Sequence, residues 1–220
     1  MPRVYSADNI FESEEFKFLA EGLEENPYKP TAWGYAHRPW ATEGMNYEIL
    51  VAERHKHTDQ QRKGQLVIPG GELKSGENYF AAALRETREE TGVAVLYNGV
   101  VTPRFRVFVD ATLIPREKAI GIIDKLGYIW FEYRDSGKRY AGHVIDLYPS
   151  TDSNPREQED SDARNPRFMK VQDILNQQNS FTPVCQILLD LIFDYGGIKP
   201  FHKEGDIAIE GNILRTMPFP

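Results

Sequence analysis

The chain has 220 residues, of which 40% are hydrophobic and 12% aromatic, enough for the core of one large domain or of one domain with extensions. Its 26 basic and 33 acidic residues leave a net charge of −7, which argues against nucleic acid as a partner attracted over long range. The single cysteine, Cys185, excludes an intrachain disulfide framework and a cysteine-based zinc site, and it favours a reducing compartment.

The first predicted element is a helix over residues 8–22, whose apolar side chains are followed by the helix-ending residues Gly22 and Pro27. It packs either on the core of the same chain or on a second subunit, and in the second case the protein is a homodimer. The residues before it have no apolar run of the signal-peptide type, and no apolar stretch reaches the roughly 18 residues of a membrane-spanning helix. We therefore expect a cytoplasmic protein without membrane contact.

Aromatic residues mark the segment 28–45, where Trp33, Tyr35 and Trp40 lie among glycine and proline. They belong either to a strand and loop buried by their aromatic side chains or to an exposed platform on which a base stacks. The next segment, residues 47–53, is apolar enough to be a central strand.

A basic loop follows over residues 54–63. His55 and His57 have the spacing of two metal ligands, but no third ligand stands near them in sequence, which favours a solvated loop. The loop also carries a group of cations that can contact phosphates although the chain is acidic. They are Arg54, Lys56, Arg62 and Lys63.

A short strand over residues 65–68 leads through a Pro-Gly-Gly turn into a predicted helix that ends at Gly92, because glycine readily takes the left-handed C-cap conformation. Three carboxylates lie on one face of this helix, since they are spaced by three and four residues: Glu86, Glu89 and Glu90. Two alanines, Ala82 and Ala83, are expected on that face one turn earlier, where they leave it accessible. The side expected to pack on the core holds Phe80, Leu84, Thr87 and Thr91.

The acidic face is unfavourable for an isolated helix. Like charges four residues apart destabilise a helix by roughly 0.2–0.5 kcal/mol per pair, and these stand in the last turns, where the helix dipole favours cations. A divalent cation reverses both effects, because hard cations such as Mg²⁺ take carboxylate oxygens. The alternative interpretation is a solvated acidic surface.

The spacing of residues around this face resembles the Nudix box. The matching positions are Gly71, Glu77, Arg85, Glu86, Glu89, Glu90, Gly92 and the apolar Val93. The one soft departure is Thr87, where the family usually has an aliphatic residue. On this pattern the chain is identified as a member of the Nudix family.

The resemblance implies hydrolysis of the pyrophosphate in a nucleoside diphosphate linked to another moiety, with Mg²⁺ or Mn²⁺ as cofactor. Within that class it favours ADP-ribose or a nucleotide sugar, because an N-terminal extension is common in that branch of the family. The alternative is a non-catalytic Nudix domain that senses a nucleotide as a regulator. Such domains usually lose box glutamates, and this chain keeps all three.

The resemblance also assigns roles within the box. The metal ligands are Glu86, Glu89 and Glu90, helped by the carbonyl of Gly70. Arg85 orients these glutamates, and Glu77 supports the site from the start of the helix. The general base is either Glu89 or an acid on a later loop, Glu159 or its neighbour Glu157.

Beyond the box, we predict strands over residues 93–97 and 100–109, joined by a hairpin turn at Asn98 and Gly99. Arg104 and Arg106 alternate with apolar residues and therefore share one face of the second strand. That face is either exposed to solvent or part of the substrate groove, where the two arginines would bind substrate together with Arg54.

A helix is predicted over residues 115–126, with Pro115 in its first turn and Gly127 past its end. Residues 128–134 and 140–148 predict two strands joined by a hairpin turn. The following segment, residues 149–166, is a predicted loop rich in acids. It has no apolar anchor in the sequence, so we expect it to be mobile without ligand.

The last predicted elements are a short helix near residue 175 and a longer one capped by Thr182, with Pro183 at its first position. The family resemblance implies an α/β fold, an α/β/α sandwich around a mixed β-sheet. We expect a Nudix domain over residues 32–194, flanked by an N-terminal helical extension (1–31) and a C-terminal tail (195–220).

Overall fold

The computed structural model describes residues 4–6, 25, 27–39, 47–55, 60–101, 107–109, 119–123, 128–133, 136–150, 153–192 and 215–217. The strands are β1 (Val4–Ser6), β2 (Lys29–Pro39), β3 (Tyr47–Arg54), β4 (Leu66–Val67), β5 (Gly70–Glu72), β6 (Val95–Val101), β7 (Val107–Val109), β8 (Ala119–Ile123), β9 (Tyr128–Tyr133), β10 (Lys138–Pro149), β11 (Ala163–Lys170) and β12 (Arg215–Met217). The helices are α1 (Tyr79–Thr91), α2 (Val171–Asn176) and α3 (Pro183–Ile192). The predicted helix over 8–22 lies outside the described residues. The same is true of four other residues singled out in the sequence: Trp40, His57, Arg104 and Arg106.

Ten strands form one mixed sheet, in the order β11-β3-β2-β10-β6-β12, with β4, β5, β8 and β9 pairing off this path. Its two long central strands, β2 and β10, run parallel, from Tyr140 beside Lys29 to Leu147 beside Ala36. The other strand pairs of this sheet are antiparallel. The sheet is therefore mixed, as the family resemblance implied.

Side chains alternate along β2 between two cores, because successive residues of a strand point to opposite faces. Trp33 and Tyr35 join the core that includes α2 and α3, whereas Ala32 and Ala36 join the core beneath α1. The sheet thus lies between α1 on one face and the later helices on the other, which confirms the α/β/α sandwich. Trp33 and Tyr35 are buried, so the structure supports the buried-strand interpretation for both and not the exposed platform.

Helix α1 ends before Gly92, as predicted, and it begins after Asn78. The Asn78 side chain accepts a hydrogen bond from the Ala81 N–H at its start, and Gly92 takes a φ of 68° after its last residue. Thr87 and Thr91 are buried as expected. The expectation for Ala82 and Ala83 was wrong, because both are fully buried in the core beneath the helix.

Residues 119–123 form strand β8 where a helix was predicted. The strand pairs antiparallel with β9, from Ala119 beside Tyr133 to Ile123 beside Ile129. A short apolar run fits both a helix and a strand by periodicity alone, and isoleucine favours the strand once a partner is available. The described part of this segment is therefore an added hairpin of the sheet.

The hairpin turn predicted at Asn98 and Gly99 was also wrong. Strand β6 runs straight through both residues, with Gly99 opposite Asp146 and Tyr97 opposite Leu147 on β10. Asn98 is left without an opposite residue, which makes it a β-bulge. The Asn-Gly pair that indicated a turn accommodates this irregularity instead.

The predicted loop is shorter than expected, because β10 extends to Pro149 and β11 begins at Ala163. It also has anchors that the sequence did not suggest. The Ser150 N–H donates to the Ala94 carbonyl at 2.9 Å, the Arg156 N–H donates to the Thr91 carbonyl at 2.8 Å, and Ala163 is buried. The prediction that this loop has no anchor was therefore wrong, and the mobility expected from it loses its basis.

Both predicted late helices are present as α2 and α3, and α3 begins at Pro183. The Thr182 hydroxyl, however, accepts no hydrogen bond from a backbone N–H of α3 among the described residues and so does not cap this helix; its side chain interacts with the Cys185 thiol. Among the helices that the structure describes, none is both long and apolar enough to cross a membrane.

Candidate active site

Helix α1 places Arg85 at the centre of an ion-pair network. Its Nε and Nη2 atoms donate to the two oxygens of Glu77 at 2.7 and 2.9 Å, the paired geometry typical of arginine and carboxylate. Its Nη1 atom donates to Glu86 at 2.5 Å and to Glu89 at 3.0 Å. The Arg85 hydrogen bonds lower the pKa of Glu77 to about 2, and those of Glu77 raise the pKa of Arg85. One guanidinium therefore orients three carboxylates.

Glu90 contacts the Pro-Gly-Gly turn instead of Arg85. The Gly70 N–H donates to Glu90 Oε2 at 3.1 Å. Burial, followed by the negative charge of Glu86, raises the pKa of Glu90 to about 8, and the Gly70 hydrogen bond and the Arg54 charge only partly offset this. Burial also raises the pKa of Glu86. Glu86 and Glu90 are thus neighbouring carboxyl groups that are costly to ionise together. A bound cation would stabilise their ionised forms.

The donor atoms around these carboxylates fit a hard divalent cation in their chemistry, although the described side chains do not converge on one point. A Cβ atom on residue 71 would lie 2.5 Å from Glu86 Oε1, so this carboxylate comes close to the backbone of the turn only because Gly71 has no side chain. Carboxylate and carbonyl oxygens are the ligands that Mg²⁺ and Mn²⁺ prefer. Over the described ranges, no group of three or more His, Cys, Asp or Glu residues converges on one point, and Arg85 Nη1 stands between Glu86 and Glu89.

A cleft of about 830 Å³ separates this helix face from the acidic loop. Glu86, Glu89 and Glu90 line the helix side of the cleft, and residues 156–162 line the other side. The structure thus brings the predicted loop acid Glu159 and the three box glutamates to one cavity.

Glu157 and Glu159 lie in the same loop but in different environments. Glu157 Oε1 accepts a hydrogen bond from the Asn165 N–H at 2.8 Å. The Glu159 side chain is exposed, and its carboxylate accepts no hydrogen bond from the residues that the structure describes. Of the two loop acids, Glu159 is therefore the one whose carboxylate has no protein partner there.

A second cavity, of about 510 Å³, adjoins the first. Glu86, Glu90 and Asp162 line both cavities. The second cavity combines aromatic and apolar walls with two cations, Arg54 and Lys74; the walls include Trp33, Ile68, Tyr133, Tyr140 and Val184. The aromatic walls suit a ring system, and the cations suit a phosphate.

The cationic side chains predicted to contact substrate or solvent lie in different environments. Arg54 lines the second cavity, and its charge acts on Glu90. Arg62 is buried, with its guanidinium 3.9 Å from the centre of the Tyr133 ring, so it does not belong to a solvated loop. Arg104 and Arg106 fall in a part of the chain that the structure does not describe, and their role stays a prediction.

Sequence reasoning did not single out Asp162, Tyr133 or Tyr140. Asp162 is one of several loop acids, and nothing in the sequence shows that it reaches both cavities. The sequence did indicate that the two tyrosines lie near each other, because they flank the predicted turn between β9 and β10. Their rings lie 6.1 Å apart in an edge-on arrangement.

Comparison with known proteins gives one family and a shared fold. The sequence matches the NUDIX domain over residues 41–184, which is more than half of the chain. No curated protein matches it. A NUDIX hydrolase from Nitrosomonas europaea is similar in structure, with a TM-score of 0.53 and 16% identity over 81% of this chain and 98% of the other. This likeness shows that the fold is shared.

Two further solved structures have TM-scores just below 0.5. One is the NUDIX domain of Shewanella oneidensis NrtR, complexed with ADP ribose, with a TM-score of 0.49 and 13% identity over 81% of this chain and 96% of that one. The other is a C. elegans Ap4A hydrolase in a binary complex, with a TM-score of 0.48 and 14% identity over 74% of this chain and 93% of that one.

Proposed function

This chain belongs to the Nudix family, whose hydrolases act on pyrophosphate bonds, and we propose that its substrate is a nucleoside diphosphate linked to a second moiety. One observation carries the proposal: the acidic cleft and the aromatic cavity meet at Glu86, Glu90 and Asp162. The acidic cleft suits phosphates bound through cations, and the aromatic cavity suits a nucleoside. A diphosphate at the junction would place its bridging oxygen beside the box glutamates.

We propose Glu86, Glu89, Glu90 and the Gly70 carbonyl as the ligands of Mg²⁺ or Mn²⁺. Such an ion, when bound, neutralises pyrophosphate charge and makes water a stronger nucleophile at neutral pH. The chain itself supplies the orientation of these groups. Arg85 fixes Glu86 and Glu89, the Gly70 N–H fixes Glu90, and Gly71 leaves room for the Glu86 carboxylate.

We propose Glu159 as the general base, with Glu89 as the second candidate. A water oxygen bonds to phosphorus, the bridging P–O bond breaks, and the proton of the water passes to the carboxylate. Glu159 is favoured because its carboxylate is exposed and has no partner within the described residues. Glu89 already accepts hydrogen bonds from Arg85 and Lys74.

Arg54 is our candidate for contact with the substrate phosphates, with Arg104 and Arg106 proposed beside it. Arg54 lines the second cavity together with Glu90, and its charge acts on Glu90, so its guanidinium is placed to pair with phosphate oxygens. Within the substrate class we favour ADP-ribose or a nucleotide sugar. The reducing compartment that one cysteine favours makes the cytoplasm the proposed location.

A turnover screen tests the proposal. The protein is incubated with a panel of nucleoside diphosphate sugars, dinucleoside polyphosphates and nucleoside triphosphates, each with Mg²⁺ or Mn²⁺, and the products are separated by chromatography. We expect cleavage of the diphosphate, loss of activity in EDTA and recovery on adding either metal. Tight binding of a nucleotide without cleavage would instead identify a regulator, and turnover that is indifferent to EDTA would exclude the metal assignment.

A further inference from the structure

Asn165 has an unusual backbone conformation at the start of β11. Among the residues that the structure describes, it is the only one other than glycine with a positive φ, at 49°. Asparagine is among the few side chains that tolerate this region. The register of β11 against β3 slips here, with Arg164 beside Glu53 and Arg167 beside Val51. Two residues thus oppose one, which makes a β-bulge that also accommodates Pro166.

The bulge turns the Asn165 N–H out of the strand ladder and towards the acidic loop. There it donates to Glu157 Oε1 at 2.8 Å. The Asn165 side chain donates to Glu53 Oε1 at 2.8 Å, and Arg167 Nη1 bridges Glu53 and the Asn165 carbonyl at 2.9 and 3.0 Å. Asn165 is therefore held by the sheet on one side and binds Glu157 on the other.

Further contacts hold the loop on either side of Glu159. Arg164 Nη1 donates to the Gln158 carbonyl at 2.8 Å, and the His55 N–H donates to the Asp162 carbonyl at 2.6 Å. The loop is thus fixed just before and just after Glu159, whose own carboxylate takes no part in these contacts.

We infer that Glu157 and Asn165 form a positioning pair that sets the loop, so that Glu159 rather than Glu157 is free to accept a proton. The inference rests on the proposed hydrolytic function, because it distinguishes between two acids of the same cleft. A carboxylate that already accepts a backbone hydrogen bond and ties the loop to the sheet has a structural task. The neighbouring carboxylate two residues on has none.

Two substitutions at residue 157 separate these roles. Glu157→Gln keeps an oxygen that accepts from the Asn165 N–H but removes the charge, whereas Glu157→Ala removes both. For a positioning residue, kcat of the Gln variant stays close to wild type, and kcat of the Ala variant falls by about 10- to 100-fold, as misplaced groups do. For a general base, both variants lose activity alike, and that result would overturn the inference.

Two substitutions at residue 165 are a matched pair for the other partner. Asn165→Gly keeps the backbone N–H and readily adopts the positive φ, whereas Asn165→Ala adopts it only with strain. We expect Asn165→Ala to loosen the loop more than Asn165→Gly does. Equal effects of the two would show that the backbone conformation does not matter.

Loop order is measured separately from activity, by hydrogen exchange of residues 153–162 and by tryptic cleavage after Arg156 in the metal-free protein. Glu157→Ala should speed exchange and cleavage there, and Glu157→Gln should not. Unchanged exchange and cleavage in the Ala variant would refute the positioning role even if no substrate is ever found. Conversely, a failed turnover screen with an ordered wild-type loop and a loosened Ala variant would count against the hydrolytic function alone.

Discussion

The two walls of the acidic cleft are built in different ways. On α1, side-chain ion pairs fix the acids, since one guanidinium binds Glu77, Glu86 and Glu89. On the loop side, hydrogen bonds of backbone groups hold the loop in place, including those donated by the amides of Arg156 and Asn165. The helix acids are therefore sensitive to changes of charge. The loop acids are positioned by the path of the backbone, and the exposed Glu159 carboxylate makes no ion pair or hydrogen bond with the residues that the structure describes.

The strongest test of the helix wall is Glu90→Gln. It removes a proposed metal ligand but keeps a side chain that can accept from the Gly70 N–H. We expect turnover to fall to background, while the fold is unchanged or slightly more stable because glutamine, unlike a carboxylate, adds no charge to this buried position beside Glu86. Steady-state kinetics with excess Mg²⁺ and thermal unfolding measure the two effects. The control is Glu25→Gln, at an exposed position that lines neither cavity. A wild-type kcat in Glu90→Gln would show that Glu90 is not a metal ligand.

On the loop wall, Glu159→Gln should lower kcat by about 10²- to 10⁴-fold with little change in KM, because a general base acts in the transition state. The same change at Glu89 identifies the base on the helix wall if that variant, and not the loop variant, shows this signature. The measurement is the dependence of initial rate on substrate concentration. If neither change reduces kcat, the proton is accepted by another group.

Arg85→Lys tests whether the helix acids need a fork of donors or only a positive charge. Lysine cannot make the paired contact with Glu77 while also reaching Glu86. We expect the free energy of unfolding to fall by about 1.5–3 kcal/mol, the usual range for hydrogen bonds to charged groups, and kcat to be lower. Urea denaturation followed by circular dichroism gives the first value. A variant as stable as wild type would mean that charge alone organises this wall.

The smallest expected effect is the acid sensitivity of the Arg85–Glu77 pair. The Arg85 hydrogen bonds lower the pKa of Glu77 from 4.5 to about 2. The ionised pair therefore stabilises the fold above about pH 4.5, and this stabilisation is lost as the pH falls through about 2. With allowance for solvent screening, we expect a contribution of about 1 kcal/mol. The free energy of unfolding, measured by urea denaturation across this pH range, should fall less steeply with decreasing pH in Glu77→Gln than in wild type. Parallel pH dependences of the two proteins would contradict the coupling.

Sequence reasoning worked best on the helix wall. The spacing of Glu86, Glu89 and Glu90 predicted the face that they share, because a helix brings residues three and four apart together, and Gly92 predicted where the helix ends. The burial of Ala82 and Ala83 was missed, since the acidic face and the core-facing stripe adjoin on this helix. A pattern of charges does not show how far the core extends beneath it.

On the loop wall and the added strands, the sequence was less informative because distant partners decide the structure. The apolar run at 119–123 became a strand through pairing with β9, and Asn98 became a bulge through pairing with β10. Likewise, the role of Asn165 depends on Glu53 and Glu157, which lie far from it or across a turn. Local patterns do not contain such long-range pairings.

The close contact between Gly71 and Glu86 has a consequence for mutation. A glycine codon becomes an alanine codon by one base change, and the added methyl group would meet only the flexible end of the Glu86 side chain. The fold can absorb this by moving the carboxylate, so the protein would persist with both cavities intact but one proposed ligand displaced. Gly71→Ala is therefore expected to keep the proposed nucleotide cavity and to lose the proposed hydrolysis, which is a one-step route from such an enzyme to a nucleotide receptor.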